Sequence, residues 1–335
     1  MSSASGEKRV LITGAAGFLG SHLTEHLLSQ GYEVIGVDNL SQGREANLQS
    51  FIHDARFRFH ELDVLDREAL FEAGRGVQFV VHFAAYKIPR YYTPLKTLEI
   101  NTHGTENALE TARLNAARFI YGSTDDIYGK NPDTPFSEES ALVMGEADVS
   151  RWSFAVSQMY AEHLCFAYHE KFGLPISILR YFGGYGPRQS PGWWGGPTSV
   201  FIESALKDTY MPIHGNGTQT RSFCYVTDMI NGTINVMENP RAVGEIFNIG
   251  NPNEVSMIDL AYTVWGLSGN DQKPKLEFID YTEFSLKYED VKRKIPDITK
   301  ARFMLGFEPK TSLIEGLRLT LEWHKIEGPL ANAQP

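Results

Sequence analysis

The residues TGAAGFLG at 13–20 constrain this chain more than any others. They follow Val10–Thr13, a short apolar run with β character, and precede Ser21–Gln30, where Leu23, Leu27 and Leu28 recur at helical spacing before Gly31. The order is strand, glycine turn, helix. Gly14, Gly17 and Gly20 let the backbone approach a pyrophosphate at the helix N-terminus, where free N–H groups and the helix dipole favour negative charge. Such glycines alone are a weak signal; between a strand and a helix they predict a dinucleotide-binding turn. Glu33–Val37 reads as the second strand, with Asp38 at its end. A carboxylate at that separation meets the adenosine ribose hydroxyls and repels a 2′-phosphate, which favours NAD over NADP. Arg44, close by, reads as a solvated surface residue.

The same alternation continues. Phe57–His60 is a strand candidate, followed by Asp63 and Val64, and Val77–Phe83 is the next, ending in HFAAYK. Thr93–Leu114 has helical periodicity and contains Asn101, Gly104 and Thr105. Ala117–Tyr121 is a fifth strand, leading into GSTDDIYG. A helix begins near Ser150, and Ile176–Arg180 is a further strand. Strands alternating with helices predict an α/β fold, a Rossmann-type doubly wound parallel sheet whose ligands sit outside the carboxyl ends of the strands. The Gly-, Pro- and aromatic-rich stretch YFGGYGPRQSPGWWGGP marks the domain change. Residues 1–182 are expected to form the NAD-binding domain. Residues 183–335 form a smaller mixed α/β C-terminal domain that binds mainly substrate, with strand and helix returns to the first domain allowed. Further helices are expected from Ser199, Asp228, Ser256, Thr299 and Leu313, and a strand at Ile246–Ile249.

Composition narrows the partners. A net charge of −10 over 335 residues argues against a general nucleic-acid or membrane-surface binder. Two cysteines, Cys165 and Cys224, cannot build a disulfide framework and read as buried thiols, and no Cys/His spacing resembles a metal site. No apolar run is long enough to span a membrane, MSSASGEKR is not a secretory signal, and a cytoplasmic protein is the default. Trp193 and Trp194, between glycines, suit equally a lid over a ligand or packing at a domain junction. Tyr91 and Tyr92, near Arg90, suit a sugar pocket or a structural role about equally.

Together TGAAGFLG, VDNLSQG, Asp63–Val64, HFAAYK, NTHGT, STDDIYG, RYFGGYGPR, TRSFCYVTD, FNIGNP and RKIPDITKA resemble the extended short-chain dehydrogenase/reductases, in the NAD-dependent nucleotide-sugar epimerase/dehydratase branch. The C-terminal half is most similar to UDP-glucuronate decarboxylases and UDP-sugar 4-epimerases, and STDDIYG is also similar to a motif of sugar 4,6-dehydratases. The resemblance implies bound NAD, a nucleoside-diphosphate sugar as substrate (a UDP sugar favoured) and a homodimer. It implies that Gly14, Gly17, Phe18, Leu19 and Gly20 hold the pyrophosphate, Asp38 and Asn39 the ribose, and Asp63 and Val64 the adenine. Ala84, Ala85 and Lys87 line the nicotinamide side, with Tyr181 packed near it. Thr124 bonds the sugar hydroxyl, and Arg221 and Arg293 clamp the diphosphate, a task suited to the planar guanidinium fork.

The resemblance breaks at three positions. Members of this family carry a tyrosine that takes the hydroxyl proton and, four residues on, a lysine that binds the nicotinamide ribose and lowers the tyrosine's pKa. Here Phe154 and Gln158 occupy those positions. Phenylalanine has no proton to exchange, and glutamine can still bond a ribose hydroxyl but carries no charge. Losing a positioned general base costs about 10²–10⁴-fold in rate. Gly183 stands where the family has an asparagine that contacts substrate. Asp125 and Asp126, beside Thr124, are the best replacements for the missing base, followed by Lys87 and Tyr128, with Tyr86 a weaker candidate. Tyr160 lies about 240° round the helix from Phe154 at roughly 100° per residue and faces elsewhere. The expected function is epimerase, dehydratase or decarboxylase chemistry with an atypical site. The alternatives are a non-catalytic NAD- or nucleotide-sugar-binding homologue, and a protein in which Phe154 and Gln158 are introduced to trap a substrate.

Overall fold

The computed structural model describes residues 8–87, 93–283 and 289–327. Its centre is a seven-stranded, wholly parallel sheet. The strands are β1 (Arg9–Thr13), β2 (Glu33–Asp38), β3 (Phe57–Glu61), β4 (Phe79–His82), β5 (Arg118–Thr124), β6 (Ile176–Tyr181) and, much later in the chain, β11 (Glu245–Ile249). Their spatial order is β11-β6-β5-β4-β1-β2-β3. The chain winds outward from β1 through β2 to β3, then returns to β4 on the other side of β1. The direction therefore reverses between β1 and β4, where a crevice opens at the carboxyl ends of such a sheet.

Alternation along each strand divides the core between two faces. Val10, Ile12, Ile120 and Leu179 join one apolar cluster, and Leu11, Phe119, Tyr121 and Ile178 the other. Helix α1 (Phe18–Ser29) covers the first face through Leu23, Leu27 and Leu28. Helices α2 (Arg67–Ala73), α3 (Pro94–Leu114) and α4 (Trp152–Phe172) cover the second, with Leu70, Ala108, Leu109 and Ala161. Both cysteines are buried and free.

The remaining elements come later in the chain. They are β7 (Gly184–Tyr185), α5 (Gly192–Gly195), α6 (Pro197–Leu206), β8 (Met211–His214), β9 (Thr220–Ser222), β10 (Cys224–Tyr225), α7 (Val226–Glu238), β12 (Glu254–Ser256), α8 (Met257–Ser268), β13 (Leu276–Ile279), β14 (Arg293–Lys294), α9 (Thr299–Leu305) and α10 (Leu313–Glu327). They form three small sheets: β7 with β10, β8 with β13, and β12-β9-β14. In the last, β14 runs parallel to β9 with Arg293 opposite Thr220 and Lys294 opposite Arg221. Strand β11 lies among these elements in the chain but pairs with β6 in the large sheet. Among the described residues no helix is long and apolar enough to cross a membrane.

Several element boundaries differ from the sequence reading by a few residues, and two of them bear on the site. Helix α1 starts at Phe18 rather than Ser21, because the turn closes early: Gly17 N–H donates to Gly14 O at 3.1 Å. Strand β5 runs on to Thr124 because β6 stays paired with it, residue for residue, to Thr124 opposite Tyr181. A strand, not a loop, thus carries Ser123 and Thr124 to the crevice.

Candidate active site

The glycine turn is fixed by the sheet. Gly14 N–H and Ala15 N–H both donate to Val37 O, at 2.8 and 3.1 Å. Gly14 has a φ of +72°, and a Cβ on it would stand 2.9 Å from Ala84 N, so only glycine fits between the two strand ends. Asp38 anchors the turn from the next strand. Its Oδ2 accepts from Ala16 N–H at 3.0 Å and its Oδ1 from Leu40 N–H at 2.9 Å. Burial raises the Asp38 pKa, while those backbone donors hold it back. Asn39 Nδ2 donates to Asp63 Oδ2 at 2.8 Å, joining the ends of β2 and β3, and Val64 O accepts from Asn107 Nδ2 at 2.9 Å. Gly17, Phe18, Leu19 and Gly20 line the same cleft, as do Asp38, Asn39, Asp63 and Val64. This cradle, with no room for a Cβ at Gly14 and a carboxylate at the end of β2, fits a dinucleotide without a 2′-phosphate.

The cleft is one cavity of about 550 Å³ that continues across the carboxyl ends of β4 and β5. Under its floor runs a buried chain. Thr13 Oγ1 lies 2.7 Å from His82 Nδ1, and His82 Nε2 lies 3.2 Å from Thr105 Oγ1. Burial lowers the His82 pKa to about 3, so the ring is neutral and one of its nitrogens donates while the other accepts. Thr13 Oγ1 also accepts from Ala84 N–H at 3.3 Å, which holds the Ala84–Ala85 backbone at the cavity wall. Asn101 continues this support: its Oδ1 accepts from Tyr86 N–H at 2.7 Å, and its Nδ2 donates to Ser157 Oγ at 2.9 Å. Lys87 follows, surrounded by the cleft wall but with its own surface open to the cavity. Desolvation lowers its pKa to about 8, and the Asp126 charge opposes that fall.

Beyond Lys87 the cavity meets a cluster of charges. Thr124 Oγ1 accepts from Asp126 N–H at 3.2 Å and donates to Asp125 Oδ1 at 3.4 Å, so it caps the short turn Asp125–Tyr128. Lys294 Nζ lies 3.2 Å from Asp125 Oδ1 and forms an ion pair with Asp126 Oδ1. Arg151 Nη2 is 3.6 Å from Asp126, and Arg151 Nη1 is 3.0 Å from Asp290 Oδ1. Arg221 Nη2 meets the same Asp290 oxygen at 3.0 Å. Burial and then the Asp126 charge raise Asp125, with Lys294 holding it back. Burial works against ionisation of Asp126 too, but Lys294 and Arg151 outweigh it and hold that carboxyl well below the usual range. Asp290 is brought to about 2: burial opposes its charge, and Arg221 and Arg151 overcome that opposition. The strand end behind this cluster rests on a buried ion pair. Ser123 Oγ donates to Glu162 Oε1 at 2.6 Å, and Arg180 grips Glu162 through Nε at 3.0 Å and Nη2 at 2.6 Å.

The structure brings most of the residues expected from sequence to this cavity. Thr124, Asp125, Asp126, Phe154, Tyr181, Gly183, Arg221, Trp193 and Trp194 all line it. Trp193 stacks on His214 with ring centroids 4.2 Å apart. Three expected residues are placed otherwise. Gln158 is buried outside the cavity, with its Oε1 accepting from Tyr121 O–H at 2.8 Å, so it is not presented to a cofactor. Arg293 is half exposed and grips Glu254 through Nε and Nη2, both at 2.9 Å. Tyr128 is fully buried; its hydroxyl donates to Asn248 Oδ1 at 2.7 Å and accepts from Arg180 Nη1 at 3.0 Å, which removes it as a replacement base. Gly183 has a φ of +49°, and a Cβ there would collide with the Ser222 carbonyl oxygen, so in this backbone the position takes no side chain. Tyr160 is exposed, as its helical angle requires. Arg90, Tyr91 and Tyr92 lie outside the described residues.

Sequence reasoning missed Lys294, Arg151 and Asp290. A signal for the first was available. Successive strand residues face opposite ways, so in Arg293–Lys294 only one can share a face with Arg221. The register pairs Lys294, not Arg293, with Arg221.

Residues 10–250 match the family model described as NAD dependent epimerase/dehydratase family. The UDP-N-acetyl-alpha-D-glucosaminuronate decarboxylase of Bacillus cytotoxicus is 34% identical over 322 residues, 95% of this chain and 98% of that protein. UDP-glucuronic acid decarboxylase 6 of Arabidopsis thaliana is 38% identical, over 94% of this chain and 88% of its own. Among solved structures, the UDP-glucuronic acid 4-epimerase of Bacillus cereus, in complex with UDP-glucuronic acid and NAD, superposes with a TM-score of 0.85 at 31% identity, covering 95% of this chain and 99% of that one.

Proposed function

The chain belongs to the NAD dependent epimerase/dehydratase family, and from that premise we propose that it is an NAD-dependent enzyme acting on a UDP sugar, with decarboxylase or epimerase chemistry at an atypical site. The observation that carries this reading is the continuity of the cavity. One space runs from the Gly14 turn and Asp38 to Thr124, Asp125 and Arg221, so a cofactor and a second ligand fit end to end. Bound on the glycine turn, NAD supplies a hydride acceptor. Residues of the chain do the rest. Arg221, pinned by Asp290, faces the cavity as the anion-binding group for a diphosphate. Thr124 and Asp125 offer a hydroxyl and a carboxylate oxygen 3.4 Å apart at the end of β5, so a sugar hydroxyl seated there meets both. Asp125 takes its proton, the role that Phe154 cannot fill. Asp126, held ionised by Lys294, stays an acceptor and fixed negative charge. Lys87, open to the cavity with its pKa near 8, is a second donor to the ligand.

In this reading the segment from 183 onward forms mainly the substrate side, apart from β11 and its neighbours. Two copies of the chain pair through α3 and α4, whose outer surfaces expose Leu95, Val156 and Tyr160; a monomeric mass by light scattering at micromolar concentration would remove that part.

The test is direct. The purified protein is denatured, and any NAD or NADH released is identified by mass. Native protein is then incubated with UDP-glucuronate, UDP-N-acetylglucosaminuronate, UDP-glucose and UDP-N-acetylglucosamine. A new UDP sugar or released carbon dioxide, lost in D125N, supports the enzyme. The apolar Phe154 at the cavity wall and the bond of buried Gln158 to Tyr121 favour a second reading, a binding protein without turnover. Tight UDP-sugar binding with no product from the whole panel would select it.

A further inference from the structure

Lys294 is buried, lines the cavity and touches two carboxylates at once, yet none of the roles above requires it to do more than neutralise Asp126. We propose that Lys294 is the positioning residue that turns Asp125 and Asp126 into a proton-transfer unit, so that the acid–base couple absent from α4 is rebuilt between the end of β5 and β14. The proposal rests on the enzyme reading above.

The geometry supplies the argument. Two consecutive carboxylates at a strand end repel each other, and burial sharpens that repulsion. A single ammonium contacting both removes it unequally. Asp126 forms the closer ion pair and has Arg151 at 3.6 Å as a second cation. Asp125 has the longer 3.2 Å contact and no second ion pair among the described residues. One member is therefore fixed as an anion, and the other is left to gain and lose a proton. This is the pattern in which one environment gives two carboxyl groups two different tasks. The position of Lys294 is not adjustable, because β14 holds it in register with Arg221, and its side chain is only 8% exposed. The groups facing this unit are Asp125 and Asp126 after β5, Arg151 at the start of α4, Arg221 on β9, Asp290 before β14 and Lys87 after β4. The proposed step is a proton transfer alone. An O–H bond of the ligand breaks, an O–H bond on Asp125 forms, and the charges of Asp126 and Lys294 do not change.

The experiment compares wild type with K294Q and K294R. Its first readout is the pH profile of kcat and KM on whichever UDP sugar is turned over. Its second, independent of turnover, is the carboxyl ¹³C titration of Asp125 and Asp126 in the NAD-loaded protein, assigned through D125N and D126N. Removing a cation disfavours the carboxylate, so in K294Q the Asp125 titration and the acid limb of kcat both move up, by about 1–3 pH units. At pH values below the original limb, kcat falls about tenfold per unit moved, while KM stays within about threefold. K294R keeps the charge and restores the limb to within about half a pH unit. A K294Q enzyme with an unmoved limb and an unmoved Asp125 titration overturns the proposal. So does one in which KM rises while kcat holds, since Lys294 would then only bind ligand. K294R keeps the test alive where K294Q does not fold: a limb displaced by more than about one unit in K294R also overturns it. If no sugar is turned over by wild type, the enzyme reading fails by itself, and the carboxyl titration still decides whether Lys294 sets the pair.

Discussion

Replacing Asp290 by asparagine removes one charge and little else. In the native protein its Oδ1 accepts from Arg151 Nη1 at 3.0 Å, Arg221 Nη2 at 3.0 Å and Val291 N–H at 2.9 Å, and its Oδ2 accepts from Tyr281 O–H at 2.9 Å. An asparagine oxygen can keep the first three bonds, and its amide can donate to the tyrosine hydroxyl. What is lost is the attraction that carries the carboxyl from 3.8 down to about 2. At about 1.4 kcal/mol per pH unit this difference contributes roughly 2 kcal/mol to stability. The native pKa lies below the unfolded one, so the contribution favours the folded state above about pH 5. It declines as pH falls through 3.8 and is gone near pH 2. D290N should therefore melt roughly 4–8 °C below wild type at pH 7, using roughly 2–4 °C per kcal/mol for a large domain. The gap should narrow steadily between pH 5 and pH 3. Thermal melts of both proteins across that range make the measurement. Equal melting temperatures at pH 7, or a gap that is the same at pH 7 and pH 3, would show that the Arg151–Asp290–Arg221 bridge contributes no charge energy.

Other outcomes follow from individual contacts. Gly183→Ala puts a Cβ against the Ser222 carbonyl at a φ of +49°. Left-handed backbone costs about 1–2 kcal/mol and overpacking about 1–3 kcal/mol, so urea unfolding should show a loss of roughly 2–5 kcal/mol; a loss under about 0.5 kcal/mol refutes the fit. Arg221→Ala should weaken UDP binding, measured by calorimetry, by about 10- to 100-fold, the worth of a charge-assisted bond. Arg293→Ala, which removes an exposed pair with Glu254, should change the same affinity by less than about twofold; equal losses in the two variants would restore Arg293 to the diphosphate site.

The fold was legible because its signals are local. A strand, a glycine turn and a helix sit within the first thirty or so residues, and Asp38 marks the end of the next strand. Each carries its own reason, whether a turn that excludes Cβ or a period of two or 3.6, and the sheet repeats it. Strand β11 was legible as a strand, but its place beside β6 was not, since pairing across a domain leaves no periodic mark. At the site, residues set by strand ends were found, and those set by long-range packing were not. Thr124 and Asp125 follow from the end of β5. Asp290 reaches Arg151 from 139 positions away, and nothing in its neighbours announces that contact. Gln158 was read from its helical face beside Phe154. The face was right, but a hydroxyl from β5, Tyr121, captures the amide before it can reach the cleft. Arg293 comes from the resemblance alone, which does not use the two-residue alternation that sets Lys294, not Arg293, opposite Arg221.

The late arrival of β11 has a consequence for how the protein is made. Every residue of β6, from Ile176 to Tyr181, is buried in the finished sheet, with β5 on one side and β11 on the other. On a chain emerging from its N-terminus, β6 can pair with β5 well before Glu245–Ile249 exist. During that interval its free side is an apolar edge with unpaired backbone groups, the kind of surface that recruits another strand. The stretch that follows β6, up to β11, must therefore be synthesised while the large sheet is still open.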